Sequence, residues 1–149
     1  MISASRSNLE ARWRAVEDHI RFETAHDLEP LVRTFGAEPE WHNKPSNDVL
    51  RGADAIRTFY GDLFAGFPDF WLDVRTRHTA GDAIVVEGLF GGTHEHAWMG
   101  IPATGKKASI PFCAVFTFTA DDRIHSEIVY YDRYTLLEQL GVIAGPAQT

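Results

Sequence analysis

The chain has 149 residues, of which 44% are hydrophobic and 23% charged, with a formal net charge of -7. That length is enough to bury a real core, and the balance is ordinary for a folded globular protein. An acidic chain without a basic stripe excludes a nucleic-acid surface and an anionic-lipid surface. No apolar run approaches the roughly 20 residues of a bilayer span. Met1 to Asn8 is polar and lacks an apolar leader core, so a cytoplasmic location is expected. The single cysteine, Cys113, excludes an intrachain disulfide. It lies in an apolar run and reads as a buried structural thiol.

There is no internal repeat and no low-complexity linker, so one domain is expected over residues 1–149, with its core from about Leu9 to Gly141. Asn8 to His26 reads as a helix: Leu9, Trp13, Val16 and Ile20 recur at helical spacing, with Asn8 as N-cap. Asp27 caps a second, short helix with Leu28, Leu31, Val32 and Phe35 inward, Pro30 in its first turn and Gly36 as its stop. Glu40 to Lys44 reads as extended and Pro45 to Gly52 as a loop. Asp54 to Phe67 is a third helix, stopped at Phe67-Pro68-Asp69. Strands follow. Phe70 to His78 alternates and turns at Ala80-Gly81-Asp82. Ala83 to His94 comes next, with Gly91-Gly92 marking a bulge or bend. Trp98 to Thr104 is a rim loop. Ala108 to Thr119 and Arg123 to Tyr131 are strands joined at Ala120-Asp121-Asp122. Tyr134 to Leu140 closes as a helix ended by Gly141, and Ala144 to Thr149 reads as a mobile tail.

Helices first and antiparallel strands after them define an α+β fold. A strongly curved, mostly antiparallel sheet wrapped on N-terminal helices leaves a cone-shaped cavity, the default ligand site.

Several segments form a recognisable set: Gly52-x-x-Ala55-Ile56-Arg57-x-Phe59-Tyr60, Phe67-Pro68-Asp69-Phe70, Gly92-Thr93-His94, Gly100-Ile101-Pro102-Ala103-Thr104-Gly105 and Tyr130-Tyr131-Asp132. Together they resemble the SnoaL-like polyketide cyclases, the "ester cyclase" branch of the nuclear transport factor 2-like superfamily. Gly52 to Tyr60 also resembles the ketosteroid isomerases. The resemblance implies a cone-shaped α+β barrel with a deep apolar pocket, usually dimeric, without metal or organic cofactor. It implies aldol ring closure, double-bond isomerisation, dehydration, epoxide hydrolysis or ligand binding alone, so it does not fix the reaction. Counted back from Leu140-Gly141, the acid/base Asp of the aldol cyclases falls at Val129 and its His partner at Ala114. The oxyanion-hole Asp of the isomerases also falls near Ala114, their tyrosine near His19, and their base near His42 or Asn43.

The candidate site is built around those positions. If Ala114 and Val129 face the cavity, strand alternation places Phe112, Phe116 and Phe118 there, with Glu127 and Tyr131. A carboxylate among aromatic rings has a raised pKa and suits general acid/base work; the alternative is a Glu tied to an arginine or a tyrosine. Glu23 extends the inward stripe of the first helix and His19 lies one turn before it. They form either a proton-transfer pair or an ion pair tying helix to sheet. Only one of His42 and Asn43 can face inward, and His42 is favoured. His94 and His96 share one side of a strand, but no third ligand matches, so no metal is expected and His94 is placed at the pocket or its mouth. Asp132 either contacts substrate or caps the last helix. Tyr60 and Trp98 read as wall or core.

The expectation is a cofactor-independent enzyme acting on an apolar ring compound by general acid/base chemistry, as cyclase, isomerase, dehydratase (lyase) or hydrolase. Its catalytic residues would come from Glu127, His94, His42 and Asp132. Its substrate contacts would come from Tyr131, His19, Glu23, Asn43, Tyr60, Trp98, Phe112, Ala114, Phe116 and Val129. A non-catalytic binding protein is the alternative. A scaffold, the third reading, requires a collapsed cavity. A homodimer through the outer sheet face is expected, with no nucleic-acid or membrane partner.

Overall fold

The computed structural model describes residues 6–145. The expected N-cap, Asn8, instead lies inside the first turn of α1 (Arg6–Thr24), because the helix starts ahead of it. α1 buries Val16, His19 and Glu23 and packs Trp13 and Ile20 against the core. Asp27 occupies the N-cap of α2 (Leu28–Arg33) without a side-chain capping bond. Gly36 does not stop that helix; it is the second residue of β1 (Phe35–Asn43). A Cβ there would sit 2.9 Å from Thr119 Cγ2, so the glycine answers to a close packing contact.

β2 (Asp48–Arg51) lies in what the sequence presents as a loop. It is a four-residue edge strand, mostly exposed, and carries no alternation to betray it. α3 (Ala53–Gly66), β3 (Trp71–Ala80), β4 (Ala83–Thr93), β5 (Lys107–Phe118), β6 (Ile124–Tyr131) and α4 (Arg133–Gln139) lie within one or two residues of expectation. Ala80 pairs with Ala83 around a two-residue turn in which Gly81 takes φ +61°, a conformation glycine adopts freely. Residues 146–149 of the expected mobile tail lie outside the described residues.

The fold is α+β: helices packed on an unclosed, curved sheet of six strands in the order β2-β1-β6-β5-β4-β3. Every pairing is antiparallel except β1 with β6. The β4–β5 ladder runs without a slip through Gly91 and Gly92, so of the bulge or bend expected there no bulge forms. Register shifts lie instead between Val74 and Thr76 on β3, between Thr117 and Phe118 on β5 and between Phe35 and Glu40 on β1. Gly91 is nonetheless required: a Cβ would fall 2.1 Å from the Ala108 carbonyl oxygen.

β5 shows how the sheet acquires an inside. Ala108, Ile110, Phe112, Ala114 and Phe116 are buried, and the residues between them face outward. The outward set includes Cys113, which is half-buried rather than buried. Each large apolar side chain withdrawn from water contributes about 1.5–3 kcal/mol. Packing of α1 and α3 on this inner face, rather than helix propensity, therefore holds the helices in place. Among the described residues no helix is long and apolar enough to cross a membrane.

Candidate functional site

Strand register decides which side chains meet beneath the helices. Trp41 pairs with Glu127, Glu127 with Phe116, and Phe116 with Ile84, forming one inward rung. The next inward rung is Asn43, Val129, Ala114 and Val86. His42 is paired with Ile128 on the opposite face. The favoured orientation of these two is thus reversed: Asn43 is 2% exposed, while His42 is half-buried and bonds Glu40 through Nε2 at 2.8 Å.

A cavity of about 70 Å³ opens between this face and helices α1 and α3. Phe112, Phe116 and Tyr131 narrow it without closing it. Of the expected contacts, Glu23, Tyr60, Phe112, Ala114, Phe116, Glu127, Val129 and Tyr131 line it. Its remaining wall, including Trp41, Phe59, Phe70 and Phe90, was not among the expected site residues. Among the described residues no lysine or arginine lines it. Phe118 lies outside it, beneath the Arg12 guanidinium.

The polar end is a buried cluster. His19, fully buried, presents Nε2 to Glu127 Oε2 at 3.1 Å and to Glu23 Oε2 at 3.5 Å. The Tyr60 hydroxyl donates to Glu127 Oε2 at 2.8 Å. Behind the imidazole, the Thr34 hydroxyl donates to the Leu31 carbonyl at 2.7 Å. Its oxygen is therefore left to accept from His19 Nδ1 at 2.9 Å. This chain assigns a proton to Nδ1 and turns Nε2 towards the two carboxylates.

Burial opposes a charge on His19, but the Glu127 charge and hydrogen bond, joined by Glu23, outweigh it and raise its pKa to about 10. His19 is thus an imidazolium at neutral pH. Burial pushes the Glu23 carboxyl up, against the His19 hydrogen bond and with the Glu127 charge adding to the rise. Burial and the charges of Glu127 and Glu23 hold the Tyr60 phenol well above its ordinary range, so it remains a donor. His19, Glu23 and Glu127 each bring one ligand atom within 4.8 Å of the others. One imidazole nitrogen and two carboxylates would suit a divalent cation; in this geometry a proton on His19 already balances one carboxylate.

Three expected catalytic groups lie elsewhere. His42 faces outward for the register reason above. His94 is fully buried and stacked at 5.1 Å on Phe67, which caps the C-terminal end of α3, with Nδ1 3.2 Å from Thr104 Oγ1. Its backbone bridges Lys106 and Gly105, which anchors the rim loop outside the cavity wall. Burial lowers its pKa. Trp98 packs edge-on to Phe67 in the same place. Asp132 caps α4, accepting from Thr135 N at 3.1 Å and Thr135 Oγ1 at 2.6 Å. Thr34 and Trp41 are additions that sequence reasoning missed. Nothing local marks Thr34, whereas Trp41 follows from Glu127 once the β1–β6 register is known.

A curved sheet cupping an apolar cavity with one polar end defines an α+β protein of the ketosteroid isomerase-like fold. The family model for SnoaL-like polyketide cyclase matches residues 13–140, and the chain belongs to that family. Among curated proteins, none matches significantly. A protein of Jannaschia sp. CCS1, provisionally assigned as a SnoaL-like polyketide cyclase, is 22% identical with a TM-score of 0.78, covering 92% of this chain and 94% of its own. AclR of Streptomyces galilaeus, provisionally assigned as a hydroxylase, is 18% identical with a TM-score of 0.77, covering 92% and 85%. A hypothetical protein of Catenulispora acidiphila with a ketosteroid isomerase-like fold, solved with trimethylamine, is 18% identical with a TM-score of 0.72, covering 85% and 92%. At these identities the likeness is one of fold.

Proposed function

We propose that this chain is a cofactor-independent acid/base enzyme for an apolar ring compound, of isomerase, dehydratase or cyclase type, working in the cytoplasm as a homodimer of single-domain chains. The observation that carries the reading is the pair of buried carboxylates, Glu23 and Glu127, on one imidazolium at the polar end of an apolar cavity. Glu127 removes a proton from a carbon beside a substrate carbonyl and returns it at a second position. His19 and Tyr60 hold the Glu127 oxygen in place, and the developing oxygen charge is met by nearby donors. Glu23, whose carboxyl burial favours in its neutral form, supplies the complementary acid. No bond to a cofactor is needed, and protons balance over the cycle. Pairing of two copies is supported by an outward apolar strip, with Val85, Val115 and Ile128 in register and Tyr130 48% exposed.

The test uses 2-tetralone, an apolar ring ketone with acidic protons beside its carbonyl, in D2O. Wild type should accelerate exchange of those protons, and Glu127→Gln should lose 10²-fold or more of that acceleration, on the order of a general-base contribution. Equal exchange by both proteins refutes the assignment of Glu127. A second reading, ligand binding without chemistry, is favoured by apolar Ala114 and Val129 in the cavity wall. It is supported if 2-tetralone binds and wild type leaves its exchange at the buffer rate.

A further inference from the structure

Four buried side-chain polar atoms have no hydrogen-bond partner among the described residues: Trp41 Nε1, Asn43 Oδ1, His94 Nε2 and Trp98 Nε1. Of these residues only Trp41 lines the cavity. A buried donor left without a partner is costly, and native proteins keep very few. Trp41 is 5% exposed, so bulk water does not satisfy it. Its ring is not free to turn away: it packs on Phe59 with centroids 4.1 Å apart, and its backbone is held in register with Glu127. The indole comes near the Tyr60 hydroxyl, close enough to favour the phenolate slightly, without meeting hydrogen-bond geometry. That hydroxyl spends its own proton on Glu127. An unused N–H donor therefore stands beside the acid/base cluster.

We infer that the Trp41 indole N–H is the substrate-orienting donor of this cavity and that it selects an uncharged, apolar ring compound bearing an accepting carbonyl oxygen. The charge pattern narrows the ligand further. Glu23 and Glu127 offer an anion nothing to pair with, and no lysine or arginine among the described residues lines the cavity. An ammonium would suit the carboxylates but would bring a cation to the positive end of the indole dipole and leave the N–H unpaired. A neutral ketone meets both demands: its oxygen accepts from Trp41, and its adjacent carbon comes to the neighbouring strand, where Glu127 projects at the usual spacing of roughly 4.8 Å. A hydrocarbon of the same shape fills the wall equally well and leaves the donor unsatisfied. The orientation of the substrate over Glu127 rests on the acid/base reading above; the binding preference does not.

The test compares 2-tetralone with tetralin, the same skeleton without the carbonyl, in wild type and Trp41→Phe. Trp41→Phe should weaken 2-tetralone about 10-fold, the worth of one hydrogen bond, and leave tetralin unchanged. Equal weakening of both ligands makes the indole mere wall and overturns the inference, as does no weakening of either. An arm without a variant follows the Trp41 indole N–H by nuclear magnetic resonance in wild type. It should move downfield with 2-tetralone and not with tetralin, and equal movement, or no saturable binding of 2-tetralone, overturns the inference. Both comparisons repeated in Glu127→Gln read binding alone. A protein that discriminates the two ligands but never exchanges protons defeats the enzymatic reading and leaves this one standing.

Discussion

Raising the pH from 7 to 10 should destabilise this protein through His19. Its folded pKa of about 10 stands above the ordinary 6.5. Between those values the folded state holds a proton that the unfolded chain has released, so stability falls as pH rises. The contribution is complete below pH 6.5 and gone once pH has passed through about 10. A shift of that size corresponds to about 5 kcal/mol at 1.36 kcal/mol per unit, as an upper figure for a group coupled to two carboxylates. That is comparable to the whole stability of a marginal domain. Glu23, raised by burial, acts in the same direction from the ordinary carboxylate range upward. Lowered Glu40, Asp69 and Asp132 act with the opposite sign only at more acid pH, where protonation removes their contribution. Lowered His94 acts with the opposite sign below pH 6.5. Cys113 and, at the top of the window from pH 7 to 10, Tyr60 and Tyr131 are also raised by burial and act in the same direction as His19, so the cluster is read from the difference between wild type and a variant. The assay is urea denaturation in steps across that window, for wild type and for Glu127→Gln, which removes the foremost cause raising the pKa of His19. Wild type should lose about 1 kcal/mol per pH unit or somewhat more, and the variant less than half of that. Generic repulsion at net charge -7 affects both proteins alike and cancels in the difference. Parallel pH profiles would refute the reading of His19 as an imidazolium held by Glu127.

Two further outcomes follow from the geometry. Asp132→Ala removes the α4 cap and should cost about 1 kcal/mol in denaturant titration, with 2-tetralone exchange unchanged; a loss of exchange at preserved stability would return Asp132 to the site. Val115→Asp places a charge on the outward apolar strip without touching the cavity. Light scattering after size exclusion should show wild type as a dimer and the variant as a monomer, and a monomeric wild type would remove the proposed pairing.

The inward direction of Glu23 and His19 was legible as a continuation of the stripe Leu9, Trp13, Val16 and Ile20, because helical periodicity is a local property. Phe112, Ala114 and Phe116 on one face of β5, and Glu127, Val129 and Tyr131 on the same face of β6, were legible for the same reason in strands. Helix and strand order, and with them the α+β fold, follow from these periodicities and from glycine and proline punctuation. Tertiary structure decided what the two periodicities could not. The parallel β1–β6 register set Trp41 and Asn43 on the face of Glu127 and turned His42 away; a shift of one residue would reverse that. The seating of α1 on the sheet brought His19 to Glu127, 108 positions later in the chain. A local pattern states which way a side chain points, and only the packing of separate elements states what it meets. The charge on His19, the raised pKa of Glu23 and the unpaired indole of Trp41 all arise from such meetings in the buried interior.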